Sequence, residues 1–319
     1  MPELPEVETV VRGLRASLPG RQIVGVRLGK SDFIDDPVFL GEHLPGNRVA
    51  SVSRCGKFIA VQMELRAPDA NPEARLHLVI HLGMTGRLTT HKPSEPALPH
   101  THVFFSLDDG NELRYTDTRR FGRMLLATEA WMQELRVRWG RDPLEIGAAE
   151  FVQLVGSRGS RIKALLLDQH ILSGVGNIYA DESLWRARIH PARRADRLTA
   201  QQLRALHRAI QTTLRAAIDL KGSSFSDYVD SEGQPGSFQS MHRVYQREGK
   251  PCRRCGRVIR RIQVAGRSSH FCPGCQPAPR ASKKRPRAKA ARLPGKKSGS
   301  AKASVSRGAV SLARGTQQR

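Results

Sequence analysis

The chain opens with Met1-Pro2-Glu3-Leu4-Pro5-Glu6, and these six residues decide how the rest of the sequence is interpreted. Initiator methionine is normally removed before a small residue such as proline, so we expect Pro2 to be a free N-terminal secondary amine. An α-amine has a pKa of about 7.7–8.0, and a useful fraction is therefore nucleophilic at neutral pH. Such an amine forms a Schiff base with a sugar or carbonyl carbon, and Glu3 and Glu6 are close enough to supply protons.

A structural interpretation of the same residues is open at this point. Proline is favoured in the first turn of a helix, and acidic residues there stabilise the helix dipole. The opening segment by itself favours the structural interpretation, and the motifs that follow reverse that preference.

The charge of the chain points to a polyanionic partner. The 319 residues carry a formal net charge of +24. Residues 277–319 hold 13 Lys and Arg and no Asp or Glu, so removing that 13 from 24 leaves +11 on residues 1–276. A basic surface of this kind is typical of nucleic-acid-binding proteins.

A membrane partner is not expected. No stretch approaches the roughly 20 apolar residues that span a bilayer, and the N-terminus has no signal-peptide pattern. We therefore expect a cytoplasmic protein that associates with the nucleoid through DNA.

The composition and periodicity predict an α+β chain with several domains. Residues 2–135 are expected to form a β-sandwich with one N-terminal helix, because apolar residues recur at helical spacing from Val7 to Leu18 and short strand-like runs follow. The predicted strands are Ile23–Leu28, Val49–Val52, Phe58–Leu65, Leu76–Leu82, His102–Leu107, Leu113–Thr116 and Met124–Thr128.

Residues 140–235 are expected to be helical. The predicted helices are Ala148–Val155, Ile162–Asp168, Asn177–Ala187 and Thr199–Leu220, the last with Thr199 and Gln202 placed as a capping box. Gly174-Val175-Gly176 precedes the third helix and forms a tight turn whose N–H groups can face an anion. A simple helix–helix turn is the alternative.

Residues 243–276 contain the most specific motif that the residues alone provide. Cys252-x2-Cys255 and Cys272-x2-Cys275 are separated by 16 residues, a spacing that closes a tetrahedral four-thiolate site for one structural Zn²⁺. A redox dithiol pair is the alternative. The strand-like runs on either side of Ala265-Gly266 predict a β-hairpin that the zinc site holds together and whose arginines contact phosphates.

The two remaining features are a fifth cysteine and the C-terminal segment. Cys55 lies outside the cysteine pairs and is expected to be a small, semi-buried residue. Residues 277–319 lack aromatic residues and are predicted to be a disordered basic tail. The tail either adds salt-sensitive attraction to DNA or only improves solubility.

Five motifs, in this order, resemble those of formamidopyrimidine-DNA glycosylases. They are Met1-Pro2-Glu3-Leu4-Pro5-Glu6, His81-Leu82-Gly83-Met84-Thr85-Gly86, Asp117-Thr118-Arg119-Arg120-Phe121-Gly122, Gly174-Val175-Gly176-Asn177-Ile178-Tyr179-Ala180 and the paired CxxC. The resemblance covers residues 2–276. It implies a monomeric base-excision repair enzyme that binds duplex DNA, excises oxidised purines such as 8-oxoguanine and formamidopyrimidines, and cleaves the abasic site by β,δ-elimination.

The resemblance also implies roles for individual residues in the reaction. Pro2 matches the nucleophile that attacks C1′ of the damaged nucleotide, and Glu3 matches the acid that protonates the sugar ring oxygen. Lys57 matches a lysine that contacts phosphate and assists proton transfer. Arg267 matches the zinc-finger arginine credited with the second elimination.

Further residues match positions that contact DNA. Met84, Arg119 and Phe121 match the side chains that fill the gap left by a flipped base. Arg120 is assigned to phosphate or to local packing. The other matched DNA contacts are His100, Arg158, Lys163 and Asn177.

The chain departs from the family pattern in some places, and two other functions stay open. Thr118 stands where proline is common, and serines replace the usual threonines in residues 222–228, which leaves the lesion preference open. A zinc-ribbon binding protein without chemistry would not need Pro2 beside two acids. An endonuclease VIII-like enzyme, acting on oxidised pyrimidines, usually opens with Pro-Glu-Gly-Pro, whereas this chain has leucine at position 4.

We predict that the basic tail contributes to affinity and not to chemistry. Truncation after Gln276 should lower the slope of log affinity against log salt, because fewer counterions are released from DNA. Single-turnover cleavage of saturated substrate should barely change. A slowing of that step by more than about tenfold, roughly 1.4 kcal/mol of barrier, would place the tail at the active site.

Overall fold

A computed structural model describes residues 1–64, 75–224 and 227–278. The predicted basic tail, apart from residues 277–278, lies outside the described residues. So do most of the loop at 66–75 and residues 225–226 of the segment 222–228.

Two antiparallel four-stranded sheets form the N-terminal part of the molecule. The first has the strand order β1-β6-β7-β5 and the second β2-β3-β4-β8. In chain order, the strands are β1 (Ile23–Leu28), β2 (Val49–Cys55), β3 (Phe58–Met63), β4 (Leu76–His81), β5 (Gly86–His91), β6 (Thr101–Leu107), β7 (Glu112–Asp117) and β8 (Arg123–Thr128). Apolar residues from both sheets share one buried core, which confirms the predicted β-sandwich.

Helix α1 (Leu4–Ser17) packs against this sandwich with its stripe of Val7, Val10, Val11 and Leu14. The helix begins three residues before the predicted Val7. Pro5 is favoured in the first turn, and the side chains of Glu3 and Glu6 form a reciprocal capping box there.

Three elements of the sandwich were not predicted. Strand β5 was missed because its polar residues hide the alternating pattern. Helix α2 (Pro37–His43) is short and is capped by Asp36. Helix α3 (Glu129–Arg138) starts at the cap residue Thr128 and covers the outer face of the second sheet with Met132 and Leu135.

Four further helices build a second core. They are α4 (Ala148–Gly156), α5 (Ile162–Leu167), α6 (Asn177–Arg186) and α7 (Ala200–Asp219). A short 3-10 turn at Ala195–Arg197 lies between α6 and α7, and another at Phe238–Met241 follows α7. The capping box of Thr199 and Gln202 is present as predicted. Within the described ranges, no helix is long and apolar enough to cross a membrane.

A two-stranded hairpin completes the described chain. Strands β9 (Arg260–Val264) and β10 (Arg267–Phe271) are joined by Ala265 and Gly266, both with positive φ. This is the backbone of a tight two-residue hairpin turn. The turn therefore lies where the sequence predicted it.

Candidate active site

The carboxylate of Glu3 joins the start of α1 to the start of α6. Its Oε1 accepts the N–H of Ile178 at 3.0 Å, and its Oε2 accepts the N–H of Tyr179 at 3.4 Å. Leu4 N–H donates to the carbonyl of Gly174 at 3.0 Å. A carboxylate at a helix N-terminus is stabilised by the helix dipole and by unpaired N–H groups. The sequence predicted an anion at this turn, and the anion found there is a side chain of the protein.

Two glycines make room for this segment. A Cβ on Gly176 would lie 2.2 Å from Cδ of Glu3, so any other residue would displace the carboxylate. A Cβ on Gly174 would lie 2.8 Å from the Leu4 side chain, and the φ of Gly174 is +104°. Both positions therefore require glycine.

Glu6 occupies a second buried acid site beside Glu3. Its Oε2 accepts the N–H of Glu3 at 2.8 Å, and its Oε1 accepts the Tyr179 hydroxyl and the Ser223 N–H, the latter at 2.8 Å. A Cβ on Gly222 would lie 2.8 Å from this oxygen, which explains the glycine at the start of that loop.

Burial perturbs the proton affinities of these groups. It raises the pKa of Glu3, although Lys57 and the two N–H donors oppose the rise. Burial, together with the Glu3 charge, raises the pKa of Glu6 to about 7. Burial also lowers the pKa of Lys57, against the pull of both acids, and the Arg267 guanidinium lowers it further. Such perturbed groups are typical of acid–base sites.

Both candidate cations are presented by hairpin turns. Lys57 is buried in the two-residue turn between β2 and β3, where Cys55 pairs with Phe58. Arg267 is exposed and opens β10 directly after the turn at Ala265 and Gly266. The fold thus brings Lys57 within electrostatic range of Glu3, and Arg267, from a distant part of the sequence, within electrostatic range of Lys57.

Arg54 fixes the turn that contains Lys57. The Arg54 guanidinium donates to Glu8 at 2.9 Å and to Asp142 at 2.6 Å. It also donates to the carbonyl of Gly56 at 3.2 Å. Arg54 therefore ties the turn to α1 and to the segment that leads into the helical region.

Pro2 is buried and lines a cavity of about 60 Å³, together with Glu6 and Met84. The Met84 and Phe121 side chains are 42% and 58% exposed, which is unusual for large apolar residues. The Arg119 guanidinium lies 4.4 Å from the centre of the Phe121 ring. The three side chains predicted to enter DNA are therefore displayed together and not packed in a core.

Other predicted DNA-contacting residues lie at different places on the surface. His100 is exposed, with a φ of +67°, and its carbonyl accepts the N–H of Asp117. Arg158 is exposed at the end of α4. Arg120 donates to Asp32 at 2.8 Å, which favours the local-packing role over the phosphate role.

The prediction that Lys163 contacts DNA is wrong for this structure. Its side chain is fully buried, and its Nζ lies 2.7 Å from Asp181 and 2.7 Å from the carbonyl of Ser268. A family match to a basic position does not reveal burial. Asn177, in contrast, is half-buried at the start of α6, and its Oδ1 has no hydrogen-bond partner among the described residues.

The four predicted cysteines converge in the hairpin module. All four Sγ atoms lie within 4.8 Å of one another. The Cys255–Cys272 and Cys252–Cys275 sulfurs are 3.4 Å and 3.9 Å apart, close to the spacing of about 3.8 Å that follows from Zn–S bonds of about 2.3 Å in a tetrahedron. The donors fit one structural Zn²⁺. Cys55 lies apart from them and is half-buried, as expected.

Three family models match successive parts of the chain. The formamidopyrimidine-DNA glycosylase N-terminal domain matches residues 1–124, and the H2TH domain of the same enzymes matches residues 140–229. The zinc finger found in FPG and IleRS matches residues 249–278.

The chain belongs to the formamidopyrimidine-DNA glycosylase family. The enzyme of that name from Heliobacterium modesticaldum is 46% identical over 285 residues, covering 86% of this chain and 100% of the relative. The one from Solibacter usitatus is 45% identical over 278 residues, covering 86% and 99%. These relatives confirm the resemblance drawn from the five motifs.

Solved structures of the family share this fold. The Lactococcus lactis Fpg in complex with DNA that contains an abasic site is 32% identical, with a TM-score of 0.78, covering 86% of this chain and 100% of that one. The same enzyme with N7-benzyl-Fapy-dG DNA gives a TM-score of 0.78 at 32% identity, covering 87% and 100%.

Several residues of the site were missed by sequence reasoning. Gln169 holds the glycine turn by accepting from Gly174 and donating to the carbonyl of Val175. Glu182 accepts the N–H groups of residues 243–245, and Asp181 accepts the N–H of His270. Both acids fix the zinc module onto α6. The one sequence feature that could have indicated this contact is the pair of adjacent acids in α6, a helix that is mostly buried.

We predict that each chain binds one zinc ion and that the ion fixes the hairpin. Cys272→Ser should reduce zinc to well below one equivalent and weaken DNA binding, while the sandwich and helical cores stay folded. Cys55→Ser is the matched control and should retain full metal content. Atomic absorption and DNA titration measure both effects. Full zinc content in Cys272→Ser would contradict the assignment.

Proposed function

We propose that this chain is a bifunctional DNA glycosylase and abasic-site lyase of base-excision repair, with Pro2 as the nucleophile. The observation that carries the proposal is the position of Pro2 at the start of α1, where two buried acids, Glu3 and Glu6, adjoin it. Lys57 lies within electrostatic range of both acids, and Arg267 lies within range of Lys57. A binding module without chemistry has no need of this arrangement.

The glycosylase step follows from these positions. After removal of Met1, the neutral amine of Pro2 attacks C1′ of the damaged nucleotide, and the bond from C1′ to the base breaks. The base leaves with the bonding electron pair and takes up the proton that the Pro2 nitrogen loses. The raised pKa of Glu3 keeps its carboxyl protonated in a larger fraction of molecules, so Glu3 donates a proton to the sugar ring oxygen as the ring opens. The product is a Schiff base between Pro2 and C1′.

The lyase steps use the same intermediate. The Schiff base acidifies C2′, whose proton leaves as the 3′ phosphate departs, and loss of the C4′ proton then expels the 5′ phosphate. The departing phosphates develop negative charge. Lys57 and Arg267 supply positive charge for these groups, and hydrolysis of the remaining imine releases Pro2.

The substrate is proposed to be an oxidised purine in duplex DNA, chiefly 8-oxoguanine or a formamidopyrimidine. A stacked base cannot reach the buried Pro2, so the nucleotide must be flipped out at a cost of a few kcal/mol. Met84 and Phe121 replace the lost stacking, and Arg119 donates hydrogen bonds to the cytosine left behind.

An endonuclease VIII-like preference for oxidised pyrimidines is the second candidate. One Lactococcus lactis FPG structure was solved with DNA containing an oxidised pyrimidine, so both lesion classes belong in the test. We also propose that the protein acts as a monomer on the chromosome in the cytoplasm, which the basic charge of residues 1–276 favours.

We predict that borohydride traps the enzyme covalently on duplexes that contain 8-oxoguanine opposite cytosine. Pro2→Gly should greatly reduce the trapped adduct, because a primary amine replaces the constrained secondary amine, and a retained Met1 should abolish it. Pro19→Gly, at an exposed proline beyond the other end of α1, is the control and should trap normally. Full trapping by the Met-retaining protein would rule out Pro2, and stronger trapping on thymine glycol would favour the second candidate.

We predict that Arg119 discriminates the base opposite the lesion. A guanidinium can donate to O2 and N3 of cytosine, and such paired contacts are worth about 1–3 kcal/mol. Arg119→Ala should slow excision opposite cytosine and narrow the preference for cytosine over adenine by roughly tenfold. Arg120→Ala removes the neighbouring guanidinium and should leave the preference unchanged. An unchanged ratio in Arg119→Ala would place this discrimination elsewhere.

A further inference from the structure

Two short loops carry the side chains proposed to enter the DNA. Residues 82–86 carry Met84, and residues 117–122 carry Arg119 and Phe121; we call them the wedge loops. In the sequence, three strands of the first sheet, β5, β6 and β7, lie between them. Contacts between the wedge loops are therefore needed to fix their relative positions.

A single buried carboxylate connects the wedge loops. Asp117 is fully buried and accepts the hydroxyl of Thr85, which directly follows Met84. The same carboxylate accepts the N–H of Gly122 at 2.9 Å and the hydroxyl of Tyr115 at 3.2 Å.

The connection extends to the backbone of Arg119. Its N–H donates to Oγ1 of Thr85 at 3.1 Å and lies 3.3 Å from Oδ1 of Asp117. The Thr85 hydroxyl thus donates to one loop and accepts from it at the same time. Only a hydroxyl can do both, because it has one proton and two lone pairs.

Close backbone packing adds to this connection. A Cβ on Gly83, which has a φ of +59°, would lie 2.4 Å from the carbonyl of Phe121. A Cβ on Gly122 would lie 1.8 Å from the Tyr115 hydroxyl and 2.9 Å from the carbonyl of His81. The wedge loops therefore touch through their main chains, around the Asp117 carboxylate.

We propose that Thr85 and Asp117 are a positioning pair that holds the wedge loops as one preformed unit before DNA binds. The proposal rests on the proposed function, in which Met84, Arg119 and Phe121 fill the gap in the duplex. A wedge that is already ordered does not lose conformational freedom on insertion, so base flipping costs less. The pair touches neither the sugar nor Pro2, and it acts through the side chains that it positions.

The test separates flipping from chemistry by the choice of substrate. Excision of 8-oxoguanine from a duplex requires insertion of the wedge, whereas cleavage of an abasic site in single-stranded DNA has neither a base to evict nor a gap to fill. Thr85→Val keeps the shape of the side chain and removes its hydroxyl. It should slow single-turnover excision from the duplex by about tenfold, or about 1.4 kcal/mol of barrier, and leave abasic-site cleavage close to wild type.

Three further variants complete the test. Thr85→Ser keeps the hydroxyl and should restore duplex excision. Thr90→Val makes the same chemical change five residues further along, on β5, and should behave as wild type. Asp117→Asn places an N–H₂ group against donor groups. It should slow excision from the duplex more than Thr85→Val does and should also leave abasic-site cleavage close to wild type.

Each result counts for or against the pair. Normal duplex excision by Thr85→Val would overturn the proposal, because the hydroxyl would then have no role in positioning the wedge loops. Equal losses of activity on both substrates in Thr85→Val and Asp117→Asn would also overturn it, because the pair would then stabilise the whole fold. Failure of Thr85→Ser to restore excision would also overturn it. A wild-type protein that cuts neither substrate would instead refute the proposed function, and this proposal with it.

Discussion

The hydrogen bonds from the N-terminus of α6 to the Glu3 carboxylate are the interaction on which the site depends. They join the start of α1, at the edge of the sandwich, to the glycine turn of the helical region. Burying a carboxylate is costly unless donors satisfy it, and here two N–H groups and the helix dipole do so. Pro2 is adjacent to Glu3 in the chain, so the same contact also places the amine.

Several other features can be understood from this contact. Gly176 has no side chain because a Cβ would occupy the position of the carboxylate. Gln169 fixes the turn that precedes α6, and Arg54 fixes the turn that carries Lys57. Lys57 lies in a two-residue hairpin turn and Arg267 directly follows one, and such turns have few backbone conformations. The reacting groups thus lie on rigid supports, although they come from three separate regions of the chain.

Sequence reasoning succeeded where a pattern is local. The stripe on α1, the capping box at Thr199 and the paired cysteines each depend on residues a few positions apart, and the structure contains all three. Sequence reasoning failed where a contact between residues distant in the sequence decides whether a side chain is buried or exposed. The basic character of Lys163 suggested a surface position, but only the fold reveals that Asp181 neutralises it in the interior.

Strand β5 and helix α3 show the same limit for the fold. Strand β5, with its polar residues, pairs with β7, and β6 lies between the two strands in the sequence. Helix α3 has a weak apolar stripe because it covers only the outer face of one sheet. In both cases, tertiary contacts and not local periodicity stabilise the element.

The buried acids also bear on how a chain with so much positive charge recognises DNA. Helix N-termini bind phosphate as readily as carboxylate, and in this protein the N–H groups of Ile178 and Tyr179 in the first turn of α6 already donate to Glu3. Glu182 similarly occupies the N–H groups of residues 243–245. Arg267 and Arg158 are exposed, and we expect side chains of this kind to hold most of the phosphates of the substrate. An exposed side chain can change rotamer as a bound DNA backbone bends, whereas the buried carboxylates of Glu3 and Glu182 are held by backbone N–H groups.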